Sequence, residues 1–517
     1  MSGFMKKSDG GEGQKEVLLA DILDAYGESD YYPFHMPGHK RNPEFMNLPP
    51  TQKIDLTEID GFDDLHHAVG ILRDAQARAA RVRGAKRTWF LVNGSTVGIL
   101  TAVSACVRPG GRILVARNCH KSVYHVIELR GLHPIYLSPK IDDRYGICDV
   151  IEVEDVARKL KEYPGIQAVL VTSPTFEGVL SDIPGIAEVA HSYGIPLIVD
   201  CAHGAHLGYA EGFAPSPVSQ GADLVIESLH KTMPAMTQTA LLHKCSDRVD
   251  DRLIQKYFSI YQTSSPSYVM MATMDQCMDL LETSAESLYA EYRRRLNLLR
   301  KRIADMEASK AGTKEPYVTL LNGNEFFRGP GGSYDDTKLI LAVRNRRGAG
   351  KQLYDLFRDR YHLQMEMAGM DYVMALTSFC DTDEGFDRLY QAIMDMNTNT
   401  DENFWKGTPS DTGYARFPVC AEVPDMMSSE AVEYPLEYVK RKDAVGRISG
   451  AYLFVYPPGV PFCVPGERVT DTTMKWIESY EEAGLRVLGL FESDSIQEQR
   501  KAGVPSSEIA DVPVIKV

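Results

Sequence analysis

From about residue 85 onward, short runs of β-branched and apolar residues alternate with longer amphipathic runs. The first such pair is TWFLV at 88–92, followed by a helix-like run from 95 that stops at Pro109 and Gly110. Further strand-like segments follow in the order RILVA (112–116), QAVLVT (167–172), PLIVD (196–200) and DLVIE (223–227). Strands that alternate with helices are typical of βαβ units, so we predict an α/β fold with a mostly parallel sheet.

The pattern changes after about residue 280. A long charged helix is predicted through 282–307, and TKLILAVRN (337–345) and DYVMALTSF (371–379) predict strands of a smaller α/β unit. The polar, turn-rich stretch 395–418 predicts a linker or surface excursion. A chain of 517 residues is too long for one core. We therefore expect an N-terminal arm over 1–75, a large domain over 76–310, a small α/β domain over 311–400 and a C-terminal segment over 401–517.

Composition and charge exclude several protein classes. Hydrophobic residues make up 44% and charged residues 25%, which is average for globular proteins and argues against disorder, coiled coil and collagen. The net charge of −15 disfavours a nucleic-acid partner, because binding phosphates requires a basic face. No apolar run approaches the roughly 18 residues that cross a bilayer, so we expect a cytoplasmic protein with no membrane partner.

Cysteine and histidine spacing gives little support for a metal. The nine cysteines are scattered without a CxxC pair, which predicts neither a disulfide framework nor a clustered zinc site. Asp200, His203 and His206 lie within seven positions and could be ligands. Since no further acidic or histidine cluster completes a coordination shell, we predict no metal site.

Polar residues of the α/β half concentrate where the predicted strands end. In open parallel sheets the ligand lies off the carboxyl ends of the strands, where loops and helix N-termini converge. The residues at this edge are Asn93, Gly94, Ser95, Thr96, Thr172, Ser173, Thr175, Asp200, His203, Ser228, His230 and Lys231, all of them polar except Gly94. We expect a ligand to bind there.

NGST at 93–96 occupies one of these strand-to-helix junctions. Exposed backbone amides and the helix dipole make such an end an anion site, and the two hydroxyl groups add donors. A phosphate group would fit here, although a plain helix cap is the alternative.

Lys231 lies between two apolar runs in ESLHKTMPAMTQTALLH (227–243). In isolation it would be assigned to an exposed turn, because lysine is rarely buried unpaired. Beside a desolvated, ligand-filled edge, however, a lysine loses part of its preference for the charged form and can attack a carbonyl to form a Schiff base. Asp200 could cap a turn or pair with a ring nitrogen that must stay protonated. A phosphate cradle, an aspartate and a Schiff-base lysine are the parts that pyridoxal phosphate needs.

The chain resembles the fold type I, pyridoxal-phosphate-dependent Orn/Lys/Arg decarboxylases in their short form. The resemblance extends from about residue 17 to beyond 465 and is based on motifs in a fixed order. These are FHMPGHKRN (34–42), DLTEIDGFDDLHHAVGIL (55–72), FLVNGSTVGI (90–99), RNCHKSV (117–123), TSPTFEGV (172–179), DCAHGAH (200–206), SLHKTMPAMTQTA (228–240) and YPPGVPFCVPGE (456–467). Because HMPGHK begins at residue 35 here, we expect the extra N-terminal wing domain of the long forms to be absent.

The resemblance implies a role for each matching residue. It implies that Lys231 holds the cofactor aldehyde, that Asp200 is the partner of the pyridine nitrogen and that His120 stacks on the cofactor ring. The implied phosphate ligands are Ser95, Thr96, Ser228 and His230. His203, which stands where the long forms have a tryptophan, and Thr175 are implied neighbours of the ring.

The resemblance also implies a homodimer or higher homo-oligomer with its active site at the subunit interface. Ser264 and Ser265 in YQTSSPSY are then expected to reach the phosphate bound by the partner subunit. The implied reaction is the decarboxylation of arginine, lysine or ornithine to agmatine, cadaverine or putrescine, a step of polyamine biosynthesis. Asp200 would keep the ring protonated, and Lys231 or His230 would return a proton to the α-carbon.

Three alternatives stay open at this point. A cysteine desulfurase-like lyase also uses a Ser-x-His-Lys pattern, and Cys380 in LTSFCDTDEG would be its nearest reactive thiol, although its setting is that of a structural residue. An aminotransferase on this fold usually stacks an aromatic ring where this chain has His120. A catalytically silent regulatory subunit would bind pyridoxal phosphate without turnover, and the intact Lys231, Asp200 and His120 argue against it.

Overall fold

The computed structural model describes most of the chain. The described residues are 18–310, 312, 315–327, 329–399, 404–405, 421–456, 459–491 and 511–516. The stretch 1–17, most of the predicted linker at 395–418, and Pro457 and Pro458 of the YPPGVPFCVPGE motif lie outside the described residues.

Helices and strands alternate along the first half of the chain. The helices are α1 Leu19–Gly27, α2 Ile71–Arg83, α3 Gly94–Cys106, α4 Lys121–Arg130, α5 Val153–Glu162, α6 Ile183–Ser192, α7 Leu229–Thr232, α8 Asp251–Tyr261, α9 Tyr268–Ser309, α10 Gly350–Tyr361, α11 Asp383–Thr398, α12 Ser428–Ala431, α13 Arg441–Ala444 and α14 Asp471–Glu482. The strands are β1 Tyr32–Phe34, β2 Arg87–Leu91, β3 Arg112–Ala116, β4 His133–Leu137, β5 Ile166–Thr172, β6 Val179–Leu180, β7 Leu197–Asp200, β8 Leu224–Glu227, β9 Ala240–Lys244, β10 Tyr317–Leu320, β11 Ser333–Tyr334, β12 Lys338–Arg344, β13 Leu363–Met365, β14 Met367–Ala368, β15 Tyr372–Leu376, β16 Leu436–Val439, β17 Leu453–Val455, β18 Val460–Cys463, β19 Val487–Leu488 and β20 Val512–Ile515.

A seven-stranded sheet forms the centre of this first half. Its strand order is β2-β9-β8-β7-β5-β3-β4. Strand β9 runs antiparallel to β2 and β8, and the other neighbouring strands are parallel. Helices cover both faces, because one core cluster joins α3, α4, α8 and α9 and another joins α5 and α6. The predicted α/β fold with a mostly parallel sheet is confirmed.

Helix α3 lies directly against the sheet. It is apolar on nearly all sides, and a Cβ atom at Gly98 would lie 2.7 Å from Leu91 Cδ1, so glycine allows this close approach. The helix begins at Gly94, whose φ of +72° suits glycine, and ends at Cys106. The helix therefore starts one residue before the predicted run and ends shortly before Pro109, where the sequence predicts it to stop.

Helix α9 is longer than the charged segment that predicts it. It spans 42 residues and starts at Tyr268, well before residue 282, because Ser267 accepts a hydrogen bond from Met270 N as its cap. Its first turns bury Met271, Met274 and Met278 in the core. The first turns of this helix are apolar and its later turns are charged, so the charged pattern alone predicts a start that is too late.

A second, four-stranded antiparallel sheet follows α9, with the order β10-β12-β15-β14. Strand β1 pairs in parallel with β13 at the side of this unit, with Tyr32 opposite Leu363. The stretch that follows β1 therefore starts beside the second unit and continues toward the central sheet. The strands predicted at 337–345 and 371–379 are β12 and β15.

The C-terminal part has a small core of its own. Strands β18, β17 and β19 form one sheet, β16 pairs with β20, and α14 packs with them around Leu453, Phe462 and Ile477. Across the described ranges, no helix is both long enough and apolar enough to cross a membrane.

Candidate active site

The carboxyl ends of three parallel strands bring the predicted polar residues together. Thr172 at the end of β5 lies opposite Asp200 at the end of β7, and Asp200 lies opposite Ile226 near the end of β8. Asp200 is 2% exposed and its Oδ1 accepts a hydrogen bond from Ala202 N at 3.1 Å. The edge of the sheet that the sequence singles out is therefore a recessed site lined by a buried carboxylate.

Lys231 lies on α7, a helix of a single turn that begins directly after Ser228. Its Nζ is 2.8 Å from His203 Nε2. Burial lowers the pKa of Lys231 to about 8, although the carboxylates of Asp200 and Glu366 act in the opposite direction. Burial also raises the pKa of Asp200, and the Lys231 ammonium opposes that shift. The site thus holds an amine that loses its proton more easily than an ordinary lysine, which is what a nucleophile needs.

His203 is the direct neighbour of this amine. Burial lowers its pKa well below the ordinary value, with the Lys231 ammonium as the next cause. The Phe176 ring packs against its ring with centroids 4.5 Å apart. Its Nδ1 is buried and has no hydrogen-bond partner. A buried polar atom without a hydrogen-bond partner costs free energy, so the site contains at least one polar group whose hydrogen bond is not made within the chain.

His120 forms the N-cap of α4. Its Nδ1 accepts a hydrogen bond from Ser122 N at 3.3 Å and lies 2.8 Å from Ser122 Oγ, which leaves the ring proton on Nε2. Burial, with the Lys231 ammonium as a second cause, lowers the pKa of His120 to about 3. Gly459 of the YPPGVPFCVPGE motif lies beside this ring, because a Cβ atom at Gly459 would be 3.7 Å from His120 Cδ2. His120 is therefore a neutral, flat side chain at the site.

The N-terminus of α3 is open. Asn93 makes no side-chain cap to this helix; its Oδ1 instead accepts from Thr263 N at 3.1 Å. A Cβ atom at Gly94 would meet nothing within 4 Å. Ser95 Oγ and Ser228 Oγ lie 2.5 Å apart beside this space, and Thr96 is exposed next to them. Uncapped amide groups and paired hydroxyls facing free space are what a phosphate requires.

His230 adds a polar ring next to Lys231. Its Nδ1 donates to the carbonyl of Thr239 at 2.9 Å, so Nε2 carries the lone pair. Burial lowers the pKa of His230 to about 4, and the hydrogen bond to Thr239 opposes the shift. Without cofactor, His230 is neutral and its Nε2 is a hydrogen-bond acceptor. Nε2 must therefore gain a proton before it can donate a hydrogen bond to a phosphate.

The remaining predicted residues lie at the edges of the site. Thr175 is buried, and its Oγ1 accepts from Val179 N at 3.1 Å within the TSPTFEGV turn. Ser264 and Ser265 are exposed in the loop between α8 and α9. Thr263 ties that loop to Asn93 at the open end of α3. The roles expected for Thr175, Ser264 and Ser265 stay predictions.

Sequence reasoning did not find the contribution of the second unit. Lys338, fully buried on β12, donates from Nζ to the His203 carbonyl at 3.1 Å. Lys40, at the end of FHMPGHK, donates from Nζ to the carbonyls of His35 and Leu376 at 2.8 and 2.6 Å. Glu366 lies between β13 and β14 and had no motif to signal it. Lys40 could have been found from the sequence, because it belongs to FHMPGHK, one of the motifs on which the resemblance is based.

The FHMPGHK segment packs directly on the turn that carries Lys231. Gly38 N donates to the His230 carbonyl at 2.7 Å. A Cβ atom at Gly38 would lie 2.5 Å from Met233 N, so only glycine fits there. This close packing is a physical reason for the glycine at position 38 of the FHMPGHK motif.

The metal and thiol alternatives find little support at the site. His206 Nε2 lies 3.0 Å from Asp335 Oδ2 and so pairs away from Asp200. Within the described ranges, no group of three or more histidine, cysteine or acidic residues could hold a metal ion. Cys380 is fully buried, and burial raises the pKa of its thiol well above the ordinary value. A thiol in that setting is a poor nucleophile.

The residues present fit pyridoxal phosphate. The cofactor needs an amine for its aldehyde, a carboxylate for its ring nitrogen, a flat group on its ring and an anion grip. Lys231, Asp200, His120 and the open end of α3 offer these groups in one recess. The buried Nδ1 of His203 shows in addition that polar groups there lack partners.

Known proteins match over nearly the whole chain. Two family models fit it, "Orn/Lys/Arg decarboxylase, major domain" over residues 18–332 and "Orn/Lys/Arg decarboxylase, C-terminal domain" over residues 410–497. The chain is 33% identical to a Bacillus anthracis protein named arginine decarboxylase, over 92% of this chain and 95% of that protein. It is 23% identical to lysine decarboxylase LdcA of Pseudomonas aeruginosa, over 94% of this chain and 78% of that protein.

Solved structures show the same fold. The lysine decarboxylase LdcF of Francisella novicida superimposes with a TM-score of 0.75 at 17% identity, covering 96% of this chain and 83% of that chain. Serine palmitoyltransferase of Sphingomonas wittichii superimposes with a TM-score of 0.52 at 14% identity, covering 71% of this chain and 86% of that chain. The architecture is that of pyridoxal-phosphate enzymes of fold type I.

Proposed function

The chain belongs to the Orn/Lys/Arg decarboxylase family, and we propose that its substrate is arginine, which it converts to agmatine and CO2. Membership makes it a pyridoxal-phosphate-dependent enzyme that removes the α-carboxylate of a basic amino acid. One observation carries the choice of arginine. Relatives with about a third of their residues identical to this chain bear that substrate in their names, whereas the lysine decarboxylases are more distant.

When bound, pyridoxal phosphate supplies an electron-accepting ring that takes up the electron pair left by the departing carboxylate. Lys231 Nζ is the amine that would hold the cofactor through its aldehyde. Its lowered pKa of about 8 keeps part of it neutral and nucleophilic near neutral pH. Asp200 would accept the hydrogen bond of the cofactor's ring N–H and hold the proton at that nitrogen.

His120 covers one face of the recess and keeps water from it. Its ring is neutral, so it adds no cation that would stabilise the substrate carboxylate before it leaves. The grip on the phosphate comes from the α3 amides and the hydroxyls of Ser95, Thr96 and Ser228. His230 joins them through Nε2 after gaining a proton, because its Nδ1 already donates to Thr239.

The proton that replaces the carboxylate comes from Lys231. Two groups were candidates, but both ring nitrogens of His230 are already engaged, Nδ1 with the Thr239 carbonyl and Nε2 with the phosphate. Lys231 Nζ would carry that proton whenever it is not holding the cofactor. His203 Nε2, 2.8 Å away, accepts a hydrogen bond from that ammonium and holds it at the site.

A cytoplasmic homodimer completes the proposal. Helix α1 buries none of its residues, and its Leu19 and Leu23 are exposed, as are Phe62 and Val69 of the following segment. Apolar side chains in such number favour a subunit interface. The eight cysteines in the described ranges are all free, which fits a reducing compartment. We keep the division into an arm (1–75), a large domain (76–310), a small domain (311–400) and a C-terminal segment (401–517).

The test is to supply the purified protein with pyridoxal phosphate and each of arginine, lysine and ornithine, and to identify the released amine by mass spectrometry. We expect agmatine to form with the highest kcat/KM. Cadaverine or putrescine as the preferred product would refute arginine as the substrate. Formation of a keto acid instead would indicate an aminotransferase. Sedimentation of the same sample should give twice the mass of one chain.

A further inference from the structure

Two motifs of the sequence are joined by one buried ion pair. Arg117 begins RNCHKSV, which follows strand β3 of the central sheet, and Glu467 ends YPPGVPFCVPGE in the C-terminal part of the chain. Arg117 Nη2 lies 2.9 Å from Glu467 Oε2, and both side chains are 7% exposed. The role of His120 gives a reason for RNCHKSV, but it leaves this ion pair unexplained.

The Arg117 guanidinium is held on several sides. Besides its contact with Glu467, it donates to the Pro461 carbonyl at 2.6 Å and to the Tyr124 hydroxyl. It also lies over the rings of Tyr124 and Tyr136, each with its centroid 5.2 Å away. Because a guanidinium is planar and donates in fixed directions, it sets where Pro461 and Glu467 lie relative to Arg117.

His120 comes three residues after Arg117 and is flanked by contacts to the same C-terminal segment. Lys121 N donates to the Gly459 carbonyl at 3.2 Å. Gly459 lies two residues before Pro461, whose carbonyl is bound by Arg117. A Cβ atom at Gly459 would be 3.7 Å from His120 Cδ2. The chain on both sides of His120 is therefore bound to residues 459–461, and its ring lies beside them.

Stability alone does not account for this ion pair. Burying two charges costs desolvation energy that their attraction often only balances, so apolar residues of similar size would join the two parts equally well. Other contacts already hold the C-terminal part in place. The Tyr452 hydroxyl donates to Glu128 at 2.6 Å, and Tyr136 N donates to the Glu422 carbonyl at 2.8 Å. What the ion pair adds is a fixed position for the segment beside His120.

We propose that the ion pair of Arg117 and Glu467 positions His120, because it holds residues 459–461 of the C-terminal part against the His120 ring and fixes that ring at the recess. Arg117 and Glu467 are thus positioning residues that act through His120. This inference rests on the proposed role of His120 at the cofactor, and it uses arginine only as the assay substrate. It also gives the C-terminal part a task in the reaction.

The first test measures positioning without cofactor or substrate. Glu467→Gln removes the charge but keeps the size of the side chain and an oxygen that can accept from Arg117. Hydrogen exchange detected by mass spectrometry reports on the amide of Lys121, whose bond to the Gly459 carbonyl requires the segment to stay in place. We expect this amide to exchange about 10-fold faster in the variant, because the contact opens more often.

The second test is a double-mutant cycle in the protein with bound cofactor. Alone, Glu467→Gln should lower kcat for arginine by about 10- to 100-fold, the usual effect of a misplaced group at an active site, with a smaller change in KM. In a His120→Ala background the same substitution should lower kcat by less than about twofold, because the ring through which it acts is gone. The visible absorbance of bound cofactor, measured without substrate, should follow the same pattern.

Glu128→Gln is the matched control. Glu128 lies on α4, the helix that His120 caps, and contacts the C-terminal part through Tyr452. It is eight residues from His120, which is about 12 Å along a helix. We expect the exchange of the Lys121 amide, the absorbance and kcat to match those of the unchanged protein. Thermal midpoints of both variants show whether either change disturbs the fold.

Gly459→Ala disturbs the same contact and leaves the ion pair intact. Gly459 has a φ of +77°, which alanine adopts only with strain, and the new Cβ atom would lie 3.1 Å from Tyr456 Cδ2. We expect faster exchange at Lys121 and a lower kcat, as in Glu467→Gln. The inference is therefore tested even if Glu467→Gln does not fold.

Two results would overturn the inference. An equal loss of kcat from Glu467→Gln with and without the His120 side chain would show that the ion pair supports the structure in general. Unchanged exchange at Lys121 together with a lowered kcat would show that Glu467 affects the reaction by another route. If the unchanged protein prefers lysine or ornithine, the proposed substrate is wrong; the exchange and absorbance tests still apply, and the kinetic cycle is run with the preferred amino acid.

Discussion

Two clusters of charged groups lie next to each other in this protein and differ in how well they are paired. The paired cluster consists of Arg83, Glu227 and His243, with Glu227 directly before Ser228 in the chain. The Arg83 guanidinium contacts the Glu227 carboxylate and donates to the Leu207 carbonyl at 2.9 Å. His243 Nε2 lies 3.2 Å from the other Glu227 oxygen.

The open cluster consists of Lys231, Asp200, His203 and Glu366. The hydrogen bonds made by its side chains within the described ranges are few: the 2.8 Å contact between Lys231 and His203, and single backbone amides for Asp200 and Glu366. His203 Nδ1 has no partner at all. Both clusters are buried, so they differ in how many of their polar groups have a hydrogen-bond or ion-pair partner within the chain. The paired cluster stabilises the structure, whereas the open cluster keeps groups ready for cofactor and substrate.

The largest effect is expected from removing the carboxylate of Asp200. Asp200→Ala should lower kcat by about 10³-fold, because nothing else would hold a proton on the cofactor ring nitrogen while negative charge develops. The measurement is amine release at saturating cofactor, with absorbance showing that cofactor is bound. A variant that retains cofactor and the full rate would contradict the role given to Asp200.

The two clusters should respond oppositely in stability. Arg83→Met leaves the buried Glu227 charge without its partner, and we expect the free energy of unfolding to fall by about 3–5 kcal/mol. Lys231→Met in the cofactor-free protein should leave stability unchanged or raise it, because an unsatisfied site is relieved. Urea unfolding of both variants without cofactor checks this. Equal losses in both would remove the distinction between the clusters.

Acid should weaken the fold through the histidines around the open cluster. Burial lowers the pKa of His35 and of His230 to about 4, whereas the unfolded chain has the ordinary value near 6.5. Between these values the unfolded chain binds more protons, so the free energy of unfolding falls as pH falls, by about 1.4 kcal/mol per pH unit for each histidine.

His35→Gln removes one of these groups. The pH dependence of its stability between pH 6.5 and 4 should be shallower than that of the unchanged protein, as measured by thermal midpoints of the cofactor-free form. An unchanged slope would show that His35 is not a buried neutral group.

The smallest effect is expected at Cys380. This thiol is fully buried, and Cys380→Ala should change kcat by less than about twofold while costing about 1 kcal/mol of stability. Assays of amine release and of sulfide release from cysteine check both outcomes. Lost activity with intact folding would instead favour the desulfurase-like alternative.

The sequence predicted the parts of the site that follow strand ends. Asp200 is the last residue of β7, and Lys231 and the 93–96 junction follow shortly after β8 and β2. The order of strands in a parallel sheet brings such positions to one edge. The end of helix α4 has a local signal of a different kind, because Gly131 follows it with a φ of +58° and glycine is the usual residue at such a helix end.

Glu366 could not be predicted in this way. It reaches the site only because β1 pairs with β13 and brings Met36 beside it, a contact between residues 330 positions apart. The start of α9 was missed because its first turns are apolar and its later turns charged, so no single pattern covers the helix. Tertiary pairing and mixed helix faces have no local signature in a single sequence.

The most direct test of the central claim is reductive trapping of the cofactor. The purified protein with bound pyridoxal phosphate is treated with borohydride, digested and mapped by mass spectrometry. The structure predicts one adduct on Nζ of Lys231, in the peptide that contains SLHKTMPAM, and its absence after Lys231→Ala. An adduct on another lysine, or no adduct in protein that releases amine from arginine, would contradict the account.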